Sequence, residues 1–179
     1  QVITVGYSMG GPISLLLSQR NPALVRAIVV QATALEWRAK WYERWEWKAV
    51  NLLGPVLRSS VFPRWMRWGI RRLLGPNHPL EQYVPWLACE LNRNDTFSLV
   101  HAGKSLSRYD ARVFASSLGK PAGSLVTTRD RLVKPRKQRA LADALNAFVV
   151  ELPDDHLASW TSPDAFSKAT LQLVQHVAN

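Results

Sequence analysis

A serine flanked by glycines lies between a strand pattern and a helix pattern, and this arrangement most constrains the fold. Residues 6–10 read Gly-Tyr-Ser-Met-Gly, after the β-branched run Val2 to Val5 and before the helix-like segment Met9 to Gln19. A strand turns this tightly into a helix only where small neighbours let backbones approach, and the turn projects the serine hydroxyl above the sheet edge. The Met9 N–H would point to where an oxyanion forms. The pattern predicts that Ser8 is a nucleophile; an ordinary glycine-rich turn is the alternative.

The elements around this turn predict an α/β fold with a mostly parallel sheet and flanking helices. The apolar strand Val25 to Val30 follows the first helix, and a strand–helix–strand unit pairs its strands in parallel. The same rhythm resumes after residue 108. The elements predicted there are a strand at Ser124 to Thr128, a helix at Arg136 to Leu145, a strand at Phe148 to Leu152, a loop at Pro153 to Trp160, and a helix from Ser162 to Val177, with Ser162 as its cap and Pro163 in its first turn.

Between these two regions the chain carries helix patterns and no pattern of a parallel strand. The predicted helices are Glu36 to Leu53, Arg64 to Leu74, Leu80 to Leu91 and Thr96 to Leu106. We therefore predict three segments: a sheet segment at 1–34, a helical insertion at 35–107, and a second sheet segment at 108–179.

A nucleophilic serine needs a base, and the chain has four histidines. His156 follows a predicted strand and precedes the last helix, and loops at the carboxyl ends of parallel strands are where such folds keep their chemistry. His78 lies between prolines, and His101 and His176 lie in predicted helices, where surface or packing roles are simplest. His156 is therefore the predicted base.

An acid is needed to orient that base, and Asp130 follows a neighbouring predicted strand. The alternative for Asp130 is a turn or helix-capping residue between two arginines. Three other aspartates compete with it: Asp110, where the chain returns from the insertion, and Asp154 and Asp155 beside His156.

Together these residues make the chain resemble the C-terminal part of an α/β-hydrolase fold enzyme. The likeness is carried by Gly-Tyr-Ser-Met-Gly-Gly at 6–11, by Thr-Arg-Asp-Arg-Leu-Val-Lys-Pro at 128–135, by the histidine before a helix, and by the order Ser, Asp, His. It implies that Ser8 is the nucleophile, Asp130 the acid and His156 the base. It further implies that Met9 donates one oxyanion N–H and that the helical insertion is a cap.

The resemblance also implies what the chain lacks or needs. No metal and no organic cofactor are required by this chemistry. The strands before the serine turn at residues 6–11 are expected to be missing, together with the second oxyanion donor, so the chain alone is expected to be inactive. Many relatives have glycine directly before the histidine, where this chain has Asp155.

We therefore predict a serine hydrolase that cleaves a carboxylic ester or thioester with an apolar acyl group through an acyl-enzyme intermediate. A lactone, a carbon–carbon bond beside a ketone, and perhydrolysis are alternatives within this fold. Two alternatives belong to other classes. One is a non-catalytic binding protein, and the other is a peripheral membrane binder that uses the Trp/Arg-rich insertion.

The insertion concentrates tryptophan and positive charge. It holds seven of the eight tryptophans of the chain. Residues 36–72 contain nine Arg and Lys against three Glu, and the formal charge of the whole chain is +10. Aromatic residues beside basic ones suit lipid headgroups or a lid over an acyl chain. The alternative is that the tryptophans pack on the core while the arginines are solvated. We expect a small-molecule acyl substrate, weak association with anionic membranes, and no nucleic-acid partner, since no nucleic-acid-binding motif is present.

Composition excludes several other classes. With 47% hydrophobic residues in 179, the chain can bury a core and is not of the disordered class. Cys89 is the only cysteine, which excludes an intrachain disulfide and a Cys-rich metal site and favours a cytoplasmic location. No apolar run approaches the ~18–20 residues of a membrane span.

Overall fold

Four parallel strands form the sheet in the part of the chain that the structure describes. The computed structural model describes residues 1–37 and 62–179. The strands lie side by side in chain order, and each neighbouring pair is parallel. They are β1 (Val2–Tyr7), β2 (Val25–Gln31), β3 (Ala122–Thr127) and β4 (Phe148–Leu152). The parallel sheet predicted from the apolar runs is confirmed.

Helices connect and flank these strands. In chain order the described helices are α1 (Gly10–Arg20), α2 (Phe62–Leu74), α3 (Val84–Arg93), α4 (Thr96–Arg108), α5 (Pro135–Ala144), α6 (Ala158–Thr161) and α7 (Pro163–Ala178), with 3₁₀ turns at Glu81–Tyr83 and Ala115–Ser117. The helices predicted at these places are confirmed. The helix predicted from Glu36 to Leu53 lies almost entirely outside the described residues.

Helices cover the sheet on both faces because successive strand residues point in opposite directions. Ile28 and Val30 of β2 pack in one cluster with residues of α1 and α5, while Ala27 and Val29 pack in a second cluster with residues of α7. All four of these β2 side chains are fully buried. A strand covered on both faces is apolar on both, which is why residues 27–30 of β2 are a run of four apolar residues and not an alternating pattern; Arg26, near the start of the strand, is exposed.

The chain divides into two compact units. Residues 1–36 and 109–179 form the unit that contains the sheet, and within it an isolated antiparallel bridge joins Glu36 to Asp110. Residues 37–108 form the other unit, whose described elements α2, α3 and α4 are all helical. None of the described helices is both long enough and apolar enough to cross a lipid bilayer.

Near the C-terminus one local prediction is wrong and a second is confirmed only in part. The loop predicted from Pro153 to Trp160 contains the start of the helical turn α6, and this turn buries Ala158 completely in the core. Ser162 occupies the N-cap position of α7, but its hydroxyl makes no capping bond and donates instead to Asp154 Oδ2 at 2.6 Å. A carboxylate is the stronger hydrogen-bond partner, which accounts for the choice. Pro163 does lie in the first turn of α7.

We expect Leu173→Ala to lower the free energy of unfolding by about 2–5 kcal/mol, because the truncation leaves a cavity in the core. Leu173 is 0% exposed and packs in the cluster between α7 and the sheet. The measurement is denaturant unfolding of the complete protein. Leu171→Ala is the matched control, since Leu171 lies on the same helix but is 60% exposed. Equal losses for the two variants would contradict the described packing of α7.

Candidate active site

A strained turn places Ser8 between β1 and α1. Ser8 has a φ of 51°, in the left-handed region, which costs a residue other than glycine roughly 1–2 kcal/mol. The Ser8 N–H donates to Gln31 O at 2.9 Å, and the Gly11 N–H donates to Ser8 O at 3.0 Å. The turn is therefore tied to the end of β2 on one side and to the first turn of α1 on the other, which maintains the strained conformation.

The glycines around Ser8 differ in how much space they have. A Cβ added at Gly6 would lie 2.4 Å from Gly10 O, so the crossing of β1 and α1 leaves no room for a side chain. Gly11 is equally crowded, since a Cβ there would lie 2.4 Å from Thr33 Cγ2. At Gly10 an added Cβ would meet no heavy atom within 4 Å. The close approach expected beside the serine is therefore made at Gly6 and Gly11 and not at Gly10.

The structure brings Ser8, Asp130 and His156 together at the carboxyl edge of the sheet. His156 Nε2 lies 2.9 Å from Ser8 Oγ, and His156 Nδ1 lies 2.8 Å from Asp130 Oδ2. The three residues follow β1, β3 and β4, and because parallel strands end at the same edge, the topology delivers them to one place. The side chains of His156 and Asp130 are 10% and 0% exposed, so their contact is shielded from water.

The Asp130 carboxylate also stabilises the acid loop, the turn at residues 128–133 that carries it. Asp130 Oδ1 accepts the backbone N–H groups of Leu132 and Val133, both at 2.8 Å. Asp130 Oδ2 faces His156. Both interpretations of Asp130 therefore apply at once: Oδ1 stabilises the turn, and Oδ2 is the hydrogen-bond partner of His156.

Thr127 and Gln138 contact Asp130 and were missed in the sequence. Thr127 Oγ1 donates to Asp130 Oδ2 at 2.9 Å, and Gln138 Nε2 donates to the same oxygen at 3.0 Å. Both residues are buried. Gln138 could have been found from the sequence. It lies three residues before Leu141 on the buried face of α5, and it is the polar residue on that apolar face.

The competing histidines of the described chain have roles apart from this site. His78 Nδ1 accepts the Leu80 N–H, and the His176 ring stacks on Phe148 with centroids 4.0 Å apart. His101 lies within α4.

Asp110 pairs with Arg112, whose side-chain hydrogen bond holds the pKa of Asp110 below its ordinary value. Within residues 1–37 and 62–179, no three side chains among His, Cys, Asp and Glu gather as a metal site would require.

Asp154 and Asp155 order the loop that presents His156. Asp154 Oδ1 accepts the Asp155 N–H at 2.7 Å, and its Oδ2 accepts the Ser162 hydroxyl. Asp155 Oδ1 accepts the Leu157 N–H at 2.7 Å, which closes a turn around His156. The carboxylate that stands where many relatives have glycine is thus used within the loop itself.

Aromatic rings pack beside the imidazole. The Tyr7 ring lies 5.4 Å from that of His156, and Phe166 contacts Tyr7 edge-on at 5.7 Å. Burial raises the pKa of the Tyr7 phenol to about 12, and the negative charge of Asp130 adds to the shift. At physiological pH the Tyr7 ring that packs beside His156 is therefore uncharged.

Comparison with known proteins identifies the family. The family model described as the alpha/beta hydrolase fold matches residues 1–163. The chain belongs to the α/β hydrolase fold family. The resemblance read from the serine turn, the acid loop and the histidine loop is confirmed, and so is the predicted fold class. No curated protein sequence matches the chain.

Several solved structures share this α/β hydrolase fold. A hydrolase from Pseudomonas aeruginosa has a TM-score of 0.78 and 19% identity over 95% of this chain and 63% of its own. The enol-lactonase from Burkholderia xenovorans has a TM-score of 0.77 and 20% identity over 96% and 64%. A thermophilic esterase from Thermogutta terrifontis has a TM-score of 0.79 and 16% identity over 100% and 66%. The chain spans less than two thirds of the first two proteins, and these likenesses establish the fold alone.

We expect Gly6→Ala and Gly10→Ala to differ sharply although both glycines belong to the same five-residue pattern. The new methyl of Gly6→Ala would press on backbone and cost about 1–3 kcal/mol or more, whereas Gly10→Ala has open space at the start of a helix. Thermal unfolding of the complete protein measures the difference. A Gly10→Ala variant as unstable as Gly6→Ala would contradict the described crossing of β1 and α1.

Proposed function

We propose that the protein is a serine hydrolase that cleaves a carboxylic ester or thioester through an acyl-enzyme intermediate. In this proposal Ser8 is the nucleophile, His156 the general base and Asp130 the acid that orients it. The observation that carries the proposal is the continuous pair of hydrogen bonds, 2.9 Å between Ser8 Oγ and His156 Nε2 and 2.8 Å between His156 Nδ1 and Asp130 Oδ2. Both distances are within the reach that proton transfer requires.

The reaction follows from the roles of these three groups. As Ser8 Oγ attacks the acyl carbon, His156 Nε2 takes the hydroxyl proton and later delivers it to the leaving alkoxide or thiolate. Water then attacks the acyl-serine, with the same imidazole accepting its proton and returning one to Ser8 Oγ. Asp130 remains an anion throughout and stabilises the imidazolium that forms.

The tetrahedral oxyanion needs hydrogen-bond donors, and the Met9 N–H is the proposed one in this chain. Met9 has helical backbone angles directly before α1, so its N–H is aligned with the N-terminal amides of that helix. Among the described residues, no backbone oxygen accepts a hydrogen bond from the Met9 N–H. A donor directed at the developing charge is worth about 2.7–4 kcal/mol in comparable sites.

Exposed apolar side chains support an apolar acyl group. Met9, Leu132 and Trp160 follow the proposed nucleophile, acid and base within four residues, and they are 47%, 49% and 50% exposed. Covering such surface with an acyl chain stabilises the complex by roughly 25 cal/mol per Å² of apolar area. The enol-lactonase and esterase among the structural neighbours act on esters by name, and a lactone is a cyclic ester. We therefore propose ester chemistry ahead of carbon–carbon cleavage.

We expect Ser8→Ala and His156→Ala each to reduce ester hydrolysis roughly 10⁶-fold, and the double variant to be no worse, because the residues act as one unit. Asp130→Asn should cost roughly 10⁴-fold, since it supports the wrong imidazole tautomer. Hydrolysis of p-nitrophenyl esters of increasing chain length and labelling by a fluorophosphonate are the measurements on the complete protein.

Ser18→Ala is the matched control, because Ser18 is a buried serine of α1 whose loss removes no proposed role. Labelling that persists in Ser8→Ala would exclude Ser8 as the nucleophile. A folded parent that neither hydrolyses esters nor reacts with the fluorophosphonate would favour the non-catalytic binding protein instead.

We also propose that residues 35–107 form a helical cap and that the cap contacts anionic lipid. The observation that favours this is an exposed face of α2, the Arg/Trp face, formed by Arg64, Arg67, Trp68, Arg71 and Arg72 at helical spacing. Trp68 is 58% exposed, and the Arg72 guanidinium lies 5.5 Å from its ring. α2 has no acidic residue, so its field suits phosphate-bearing headgroups.

We expect the double variant Arg67→Glu/Arg71→Glu to bind vesicles containing phosphatidylserine at least about tenfold more weakly than the parent, since each arginine near an anionic surface contributes about 1 kcal/mol. Arg136→Glu/Lys168→Glu is the control, because it makes the same charge change at exposed positions of the sheet unit. Vesicle co-sedimentation at two ionic strengths measures the effect. Binding that ignores salt, or that falls equally in both double variants, would refute a role for the Arg/Trp face.

A further inference from the structure

A buried carboxamide joins both ends of the loop that carries Asp130. Gln138, on α5, is 1% exposed. Its Nε2 donates to Val133 O at 2.6 Å and lies 3.0 Å from two further acceptors, Asp130 Oδ2 and Thr127 Oγ1. Its Oε1 accepts the Thr127 N–H at 2.9 Å. Thr127 is the last residue of β3 and Val133 lies three residues after Asp130. The Gln138 side chain therefore links the start of the acid loop to its end.

The partners determine which way the Gln138 amide points. Val133 O and Asp130 Oδ2 can only accept hydrogen bonds, and the Thr127 N–H can only donate. Turning the amide over would place Oε1 against two oxygens and the NH₂ group against an N–H, which leaves buried polar groups unpaired. The NH₂ group therefore faces the carboxylate.

We propose that Gln138 is a positioning residue that acts through Asp130 to set the protonation pattern of His156. This inference rests on the proposed function. Apart from His156, every group that contacts the carboxylate donates to it: Gln138 and Thr127 at Oδ2, and two backbone N–H groups at Oδ1. The Gln138 NH₂ group and the two backbone N–H groups can only donate, so both carboxylate oxygens are surrounded by donors and serve as acceptors.

The consequence reaches His156. Its Nδ1 faces an oxygen that can only accept, so Nδ1 carries the ring hydrogen. Nε2 then presents its lone pair to Ser8 Oγ, 2.9 Å away, which is the state that can take the serine proton. None of the hydrogen bonds described for Gln138 involves Ser8, so it acts by fixing the place of the oxygen that selects the tautomer.

The test uses Gln138→Glu and Gln138→Met in the complete protein. The first keeps the shape but replaces the donor by an oxygen, and the second keeps the length but removes both polar atoms. We expect each to slow fluorophosphonate labelling of Ser8 about 10- to 100-fold, the effect of losing a hydrogen bond to a charged group. The downfield proton NMR signal of the His156 Nδ1–H should also shift or disappear.

Leu141→Ala separates this role from a loss of stability. Leu141 is equally buried on the same helix, but it packs in the core cluster and makes none of the hydrogen bonds to Asp130. We expect it to lower the unfolding temperature while labelling proceeds at the parental rate and the His156 signal stays in place. Gln138 variants that fold and label at the parental rate overturn the proposal, as does a Leu141→Ala variant slowed to the same extent.

If neither Gln138 variant folds, the parent provides the measurement. The side-chain amide NMR signals of Gln138 should shift when a fluorophosphonate occupies Ser8, because the charge on His156 and its bond to Asp130 change. Amide signals that stay unmoved overturn the proposal. A parent that is not labelled at Ser8 at all removes the proposed function first, so the two failures are distinguishable.

Discussion

The buried carboxylate of Asp130 is the constraint on which the described site depends. A carboxylate whose side chain is fully covered must receive hydrogen bonds, because an unpaired buried charge costs several kcal/mol. The donors come from the end of β3, from the acid loop, from α5 and from the loop after β4. Only a chain that has packed all four parts together can satisfy Asp130, so the stability of the acid loop and the geometry of the site have the same origin.

His156 connects this network to a second, strained one. Ser8 is held in the left-handed region by bonds to the end of β2 and the start of α1, and none of these bonds involves the acid loop. Within the described residues, His156 is the side chain that hydrogen-bonds to both Ser8 and Asp130. The ring contact with Tyr7 and the turn closed by Asp155 therefore matter, because they limit how the imidazole can move between the two networks.

The proximity of the three site residues could be predicted from the sequence, whereas their supporting contacts could not. Ser8, Asp130 and His156 each lie two to four residues after a strand pattern. Parallel strands bring such positions to one edge of the sheet whatever the details of packing. Which residues Gln138 hydrogen-bonds to depends instead on how α5 is rotated against β3. The periodicity of the sequence does not determine that rotation. α6 was missed for another reason, since four residues are too few for a helical period to be visible.

The serine pattern itself illustrates the difference between a sequence signature and a physical requirement. Gly6 is crowded because the first residue of α1 lies against β1, and Gly11 is crowded because it lies against Thr33, two residues after β2. Gly10, by contrast, has open space. The close approach of α1 to the sheet sets Ser8 directly before the N-terminus of a helix whose N-cap is Met9. What requires glycine is therefore the short distance between α1 and the sheet. The two crowded glycines stand at positions 6 and 11 because those are the points where α1 comes closest to its neighbours.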